Sequence, residues 1–191
     1  MIYGVIIVLT AMVYGFLKSE KLYQEKWYKY GILLGYVAMC SLTLWTFSDD
    51  INTMIYIMAT TLIFISVVTD IYDKTLPIEY YLSIIPVIIV KALVIPESFF
   101  GKDLLFNLIT IVVLIAVGYV FRASLGFGDI FLFITLTLLI GYGVTIVLIL
   151  MALVLTSVSG LFMIAIRKAN RITQFPFTPF VMVGYIVYLL I

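Results

Sequence analysis

The sequence predicts an all-α protein, a polytopic transmembrane bundle of about eight helices. Composition is the first reason, because 65% of the 191 residues are hydrophobic and only 11% are charged, with a mean hydropathy of +1.27. A soluble domain is about half apolar and about a quarter charged. The second reason is that the apolar residues fall into long runs separated by short polar loops. We therefore expect residues 1–191 to form a single membrane-embedded domain.

The apolar runs are the candidate spans, since a bilayer core of about 30 Å needs about 20 helical residues. They are Ile2–Leu17, Tyr28–Phe47, Thr53–Thr69, Tyr80–Ile95, Leu104–Phe121, Ile130–Ile140, Val144–Ile166 and Phe180–Ile191. The sixth run is short, but joined to the seventh it would extend about 55 Å, too long for one crossing. Gly141 and Gly143 mark the predicted break between them. The apolar start lacks the basic region and cleavage site of a signal peptide, so we expect it to be retained.

The basic residues predict the orientation, because cytoplasmic loops carry the excess of Lys and Arg. The odd-numbered loops hold Lys18, Lys21, Lys26, Lys29, Lys74, Arg122, Arg167, Lys168 and Arg171. The even-numbered loops hold Asp49, Asp50, Glu97, Asp103 and a single cation, Lys102. This alternation predicts a multi-pass protein of the cell membrane with both termini outside and the odd-numbered loops in the cytoplasm.

The residue types that are present limit the possible chemistry. The chain has no histidine and one cysteine, Cys40, which excludes a Ser-His-Asp triad, a Cys-His pair, a disulfide framework and a Cys-rich zinc site. No basic patch exceeds a few residues, so no nucleic-acid partner is expected. Any catalysis must rest on carboxylates, hydroxyls, Lys or Arg, and we expect no metal or other cofactor.

Two aspartates at the ends of apolar runs are the candidate catalytic residues. Asp70 follows the run Ile63–Thr69, and Asp129 follows Gly126 and Gly128 just before the sixth span. The predicted orientation brings both to the cytoplasmic membrane edge, and ionisable residues in such positions are functional candidates. Plainer interpretations stay open: Asp70 as the first solvated residue, Asp129 as a helix N-cap, and the glycines as turn residues.

Two carboxylates in one site titrate as a coupled pair, so that one stays protonated while the other is charged. The charged member can take a proton from water as it attacks a peptide carbonyl, and the protonated member can donate to the carbonyl oxygen. Peptide hydrolysis is therefore the most economical chemistry for Asp70 and Asp129. Bare glycines at 126 and 128 would let an extended peptide approach the acid.

Three stretches together resemble the type IV prepilin peptidase family, membrane aspartyl proteases with a Gly-x-Gly-Asp motif. Asp70–Pro77 matches the family's acid that is followed seven residues later by proline, and Gly126–Asp129 matches its second catalytic motif. Phe175–Phe180 resembles its closing Pro-Phe-x-Pro segment. The resemblance implies that Asp70 and Asp129 form the catalytic pair. The supporting motif residues would be Gly126, Gly128, Pro77, Pro176 and Pro179.

The resemblance also implies a substrate, and the chain departs from the family pattern at two points. It implies cleavage of the short basic leader of a prepilin or pseudopilin, typically after a glycine, at the cytoplasmic face, in type IV pilus assembly or protein secretion. Many members carry a basic residue two positions after the second aspartate, where this chain has Phe131. The chain also lacks the Cys-containing cytoplasmic insertion of many members, so N-methyltransferase activity is not expected.

Two other functions stay open at this point. A proton-coupled transporter or channel subunit would use the acids as a proton relay, with carboxylates at the bilayer midplane along a water-lined path. A non-catalytic scaffold of a secretion or pilus machine, built on a degenerate peptidase fold, would have its aspartates apart or salt-bridged. The peptidase requires them paired in a cleft that opens only to the cytoplasm.

Overall fold

The computed structural model describes residues 26–47, 50–72, 84–94, 103–120, 126–166 and 176–191. Within these ranges every element is an α-helix and there is no strand, which confirms the all-α class for this part of the chain. The helices are α1 (Lys26–Thr46), α2 (Asp50–Tyr72), α3 (Ile85–Val94), α4 (Asp103–Val120), α5 (Phe127–Ile140), α6 (Tyr142–Ala165) and α7 (Thr178–Leu190).

Three of these helices are long and apolar enough to cross a membrane: α2 over Ile51–Ile71, α4 over its whole length, and α6. Shorter apolar helices accompany them in α1, α5 and α7. A membrane protein is therefore supported, whereas the number of eight spans and the orientation stay predictions. The predicted first span, Ile2–Leu17, lies outside the described residues, as do Pro77 and most of the basic loop residues.

The central helix of the bundle is α2, which packs against α1, α5 and α7. In α2, 61% of the apolar stretch that could cross a membrane is buried, compared with 11% in α4 and 11% in α6. The protein therefore encloses α2, while α4 and α6 turn most of their apolar side chains outward, where hydrocarbon can cover them. The main core holds side chains from α2, α5, α6 and α7, including Leu62, Leu132, Leu136, Leu148 and Val181.

Hydroxyl groups join α1, α2 and α7 inside this core. The Tyr36 hydroxyl lies 2.9 Å from Thr61 Oγ1, Thr43 Oγ1 lies 3.0 Å from Thr60 Oγ1, and Thr60 Oγ1 lies 3.0 Å from the Tyr185 hydroxyl. A polar group in hydrocarbon or a dry core is costly unless it has a partner. These bonds therefore favour one register of α1 and of α7 against α2.

The break between α5 and α6 lies where the glycines predict it. Ile140 ends α5, Tyr142 begins α6, and Gly141 between them has φ 95°, a conformation that L side chains rarely adopt. The Tyr142 N–H donates to Asn107 Oδ1 at 2.9 Å, so α4 satisfies one of the unpaired donors at the start of α6. The short sixth apolar run is therefore a helix of its own, and this helix begins earlier than the predicted run, at Phe127.

A glycine brings α4 and α5 close together beside the second aspartate. A Cβ on Gly118 of α4 would lie 2.0 Å from Ile130 Cδ1 and 3.1 Å from Ile130 Cγ1. Only a residue without a side chain allows this approach, and small residues at such crossings are common in membrane helix pairs. Because Ile130 follows Asp129 directly, this contact helps to set the position of the acid.

Candidate active site

Asp70 lies in the last turn of α2 and faces the start of α7. Its Oδ2 accepts a hydrogen bond from the Thr178 backbone N–H at 3.0 Å and a second from Thr178 Oγ1 at 2.9 Å. The side chain is half-buried. Asp70 is therefore held by another helix, and its interpretation as merely the first solvated residue after a span is wrong.

The way α7 begins explains why its first N–H is available. Phe177 is the N-cap, and Thr178 and Pro179 are the first helical residues. The first N–H groups of a helix have no partner within the helix, and proline has no N–H to satisfy. Asp70 thus supplies both an acceptor and a negative charge at the positive end of α7. Pro179 is in the first helical turn, a position that proline favours, and Pro176 lies half-buried just before the helix.

Asp129 lies in the first turn of α5, where Gly126 is the N-cap. Its backbone N–H donates to the Gly126 carbonyl oxygen at 3.1 Å, and its carboxylate accepts a hydrogen bond from the Gly126 N–H. The bond from the Gly126 N–H to the carboxylate is one half of a capping box, in which the side chain of the third helical residue bonds back to the N-cap. The interpretation of Asp129 as the N-cap is therefore wrong, because the N-cap is Gly126, three residues before it.

The two glycines of the motif are not turn residues. Gly126 has φ −68° and ψ 137°, which any residue adopts, and Gly128 lies within α5. Among the described glycines only Gly141 has a positive φ. A Cβ on Gly126 would instead lie 3.3 Å from Asp129 Oδ2. The missing side chain thus leaves one side of the carboxylate uncovered, as the approach of a second backbone requires.

The two carboxylates influence each other. Burial raises the pKa of Asp129 from 3.8 to about 6, the charge of Asp70 contributes in the same direction, and the hydrogen bond from Gly126 opposes both. Like charges in one site disfavour the doubly ionised state, so a proton is retained more readily. The packing of α2 against α5 brings these acids together although they are far apart in the sequence.

The opposite end of α5 carries a different polar site. A cavity of about 370 Å³ lies there, lined by Lys91, Asp103 and Asn107 among others. Lys91 Nζ donates to the carbonyl oxygens of Leu138 and Leu139 at 3.2 and 2.8 Å, in the last turn of α5, where the helix dipole is negative. Lys91 is the one basic side chain among the residues with described side chains, and it does not pair with either aspartate of the candidate site.

The packing of α2, α5 and α7 accounts for most of the predicted site residues. It brings Asp70 near Asp129 and places the Pro176–Pro179 segment at the Asp70 carboxylate, whereas Pro77 lies outside the described residues. Sequence reasoning missed Thr178, although its hydroxyl is the only hydrogen-bonding side chain between the two prolines. It also missed Gly118, whose signal is a glycine within a long apolar run.

Comparisons with other proteins add nothing to this geometry. No protein-family model, curated protein or solved structure matches the chain. Within the described residues no group of three His, Cys, Asp or Glu side chains could hold a metal ion, and the expectation of metal-free chemistry stays a prediction. The candidate site as described holds two carboxylates and the Thr178 hydroxyl that bonds to one of them.

Proposed function

We propose that the chain is a membrane aspartic endopeptidase that removes the short basic leader of a prepilin or pseudopilin protein at the cytoplasmic membrane face. One observation carries the proposal: the packing of α2 against α5 brings Asp70, at the end of α2, near Asp129, at the start of α5, and the charge of Asp70 contributes to the raised pKa of Asp129. The choice of substrate rests on the three motifs that resemble the prepilin peptidase family.

The environments of the two acids suit different steps of peptide hydrolysis. Asp129, with a pKa of about 6, retains its proton at a higher pH than an ordinary aspartate. Asp70 has one oxygen, Oδ2, engaged with two donors. In the proposed mechanism Asp70 takes a proton from water as the water oxygen bonds to the peptide carbonyl carbon, and Asp129 donates its proton to the carbonyl oxygen.

The second half of the reaction restores both acids. The tetrahedral intermediate loses a proton from its hydroxyl to Asp129 as the C=O double bond re-forms and the C–N bond breaks. The leaving amine takes the proton that Asp70 removed from water. Asp129 is then protonated and Asp70 ionised, as at the start, and no other group in the protein needs to change its charge.

The positions of the acids favour hydrolysis over a proton relay. A relay needs carboxylates near the bilayer midplane, whereas Asp70 is in the last turn of α2 and Asp129 in the first turn of α5. Inward from Asp129 the α5 side chains Leu132, Phe133 and Leu136 are apolar and at most 3% exposed. A water-lined path along α5 would have to pass through this packed region.

The test is co-expression with pseudopilin-like proteins encoded in the same genome, with leader removal scored by mass spectrometry. Asp70→Asn and Asp129→Asn should each lower processing by about 10² or more, because each removes a proton-transfer group. Asp103→Asn, an exposed acid at the first turn of α4, is the matched control and should process normally. All variants are compared at equal membrane expression.

Normal processing by either active-site variant would remove that acid from the mechanism. A relay makes a different prediction: both variants would abolish proton uptake into liposomes that contain the purified protein, and leader removal would not depend on the protein at all. A scaffold would show neither activity, and both variants would still support assembly of the pilus or secretion machine.

A further inference from the structure

Thr178 makes two hydrogen bonds to a single oxygen of Asp70. The side chain is fully buried, and its backbone N–H and its Oγ1 both point to Asp70 Oδ2. The hydroxyl also lies 3.3 Å from the Ser66 carbonyl oxygen. A hydroxyl has one proton to donate, and its contact with the carboxylate, at 2.9 Å, is the shorter of the two. The Thr178 hydroxyl therefore donates mainly to Asp70.

On the basis of the proposed function, we infer that Thr178 is a positioning residue for hydrolysis. By donating twice to Oδ2, it fixes the rotation of the Asp70 carboxylate and leaves Oδ1 as the oxygen that takes the proton from water. The motifs do not assign this role, since the resemblance concerns the prolines on either side of Thr178.

The chemistry of the donors supports this division between the two oxygens. A backbone N–H can only donate, so a proton on Asp70 Oδ2 would have to turn toward Thr178 Oγ1, and the hydroxyl would then lose its own bond to the carboxylate. Proton uptake at Oδ1 leaves both Thr178 bonds in place and is therefore favoured. Hydrogen bonds to a charged group are also stronger than neutral ones, so the carboxylate has little freedom to exchange its oxygens.

The position of Thr178 itself is fixed by contacts further along α7. Two turns later the Tyr185 hydroxyl lies 3.0 Å from Thr60 Oγ1 and donates to the Tyr56 carbonyl oxygen at 3.0 Å. Both partners belong to α2, the helix that carries Asp70. Gly184 lets α7 approach α6, because a Cβ there would lie 3.2 Å from Met151 Cβ. These contacts fix the position of α7 along the axis of α2, and so keep Thr178 beside Asp70.

The experiment compares steady-state cleavage of a purified pseudopilin by Thr178→Val and Thr178→Ser. Valine keeps the shape and the backbone N–H but removes the hydroxyl, whereas serine keeps the hydroxyl. We expect valine to lower kcat by about 10–100-fold with KM within about twofold, since misorientation of a catalytic group acts on the chemical step. The kcat of Thr178→Ser should stay within about threefold of that of the unmodified protein.

A buried threonine elsewhere separates this role from packing. Thr145→Val removes a fully buried hydroxyl that donates to the Gly141 carbonyl oxygen, far from the acids, and should leave kcat unchanged. Thr178→Ala serves as a second variant, because it removes the hydroxyl and also volume. Equal losses of kcat for alanine and valine support positioning by the hydroxyl, whereas a loss that follows side-chain volume would overturn it.

The two proposals fail in different ways. Full kcat in Thr178→Val, or equal damage in Thr178→Ser, would overturn the positioning role while leaving the peptidase intact if Asp70→Asn and Asp129→Asn remain inactive. Normal cleavage by Asp70→Asn would instead overturn the proposed mechanism, and the role of Thr178 with it.

Discussion

Asp70 and Asp129 are the same side chain in two environments of different origin. The partner of Asp129 is local, because its carboxylate bonds to Gly126 within the same helix start. The partner of Asp70 is Thr178, which is 108 positions away. Asp129 also lies at the positive end of its own helix, whereas Asp70 lies at the negative end of α2 and faces the positive end of α7. One acid is thus held by local geometry and the other by tertiary packing.

The difference indicates which acid depends on the whole fold. Asp129 would keep its cap as long as α5 forms, and its raised pKa arises from burial and from the charge of Asp70. Asp70 keeps its two donors only while α7 stays in register with α2. Changes near Asp129 should therefore alter proton affinity, and changes near α7 should alter orientation.

The largest effect should appear in the pH dependence of stability. The pKa of Asp129 is raised in the folded protein from 3.8 to about 6, so the folded state binds the proton more tightly. The resulting stabilisation is fully present below about pH 3.8 and is lost as the pH rises through about 6, with a range of up to about 3 kcal/mol. The melting temperature in detergent should therefore rise as the pH is lowered from 7.5 to 5.

Two variants sharpen this measurement. Asp129→Asn should remove this dependence on pH, whereas Asp103→Asn, the exposed control, should retain it. In Asp70→Asn the pH midpoint of the change in melting temperature should move below 6, because the neighbouring charge that raises the pKa of Asp129 is gone. If Asp70→Asn leaves this pH midpoint unchanged, the two acids do not share a site.

The next effect concerns the packing that supports Asp129. Gly118→Ala places a Cβ against Ile130, which is 5% exposed, and even after rotation of the Ile130 methyl group Cγ1 stays at 3.1 Å. Overpacking of this kind costs about 1–3 kcal/mol. We expect a lower melting temperature and a loss of cleavage of about tenfold. Gly160→Ala is the control, since no atom lies within 4 Å of its added Cβ; equal behaviour of the two variants would contradict the close approach of α4 and α5.

The smallest effect should come from Gly126→Ala. The backbone at Gly126 suits alanine, so the melting temperature should stay within a few degrees. The added Cβ would lie 3.3 Å from Asp129 Oδ2 and would cover the open side of the carboxylate, so cleavage should fall by about threefold to tenfold. Gly143→Ala, with open space at its Cβ, should cleave normally. A fully active Gly126→Ala would show that substrate does not approach from this side.

The helices were largely predictable, because hydropathy and glycine positions are local properties. The predicted break is confirmed at Gly141, whereas Gly143 lies within α6, and each predicted span from Tyr28 onward corresponds to a described helix. The start of α5 was missed by three residues, because a hydropathy pattern stops at Asp129 while backbone hydrogen bonding continues to Gly126.

The sequence by itself determined the apolar helices, the absence of histidine, and the two acids at the ends of helices, since these depend only on residue type and order. The tertiary structure decided that α7 begins beside Asp70, that Thr178 donates twice to its carboxylate, and that Gly118 brings α4 onto Ile130. These contacts join residues whose separation along the chain carries no information about their distance in space. Packing of α2 against α5 and α7 decides that distance, because only this packing buries Asp129 and brings the charge of Asp70 near it.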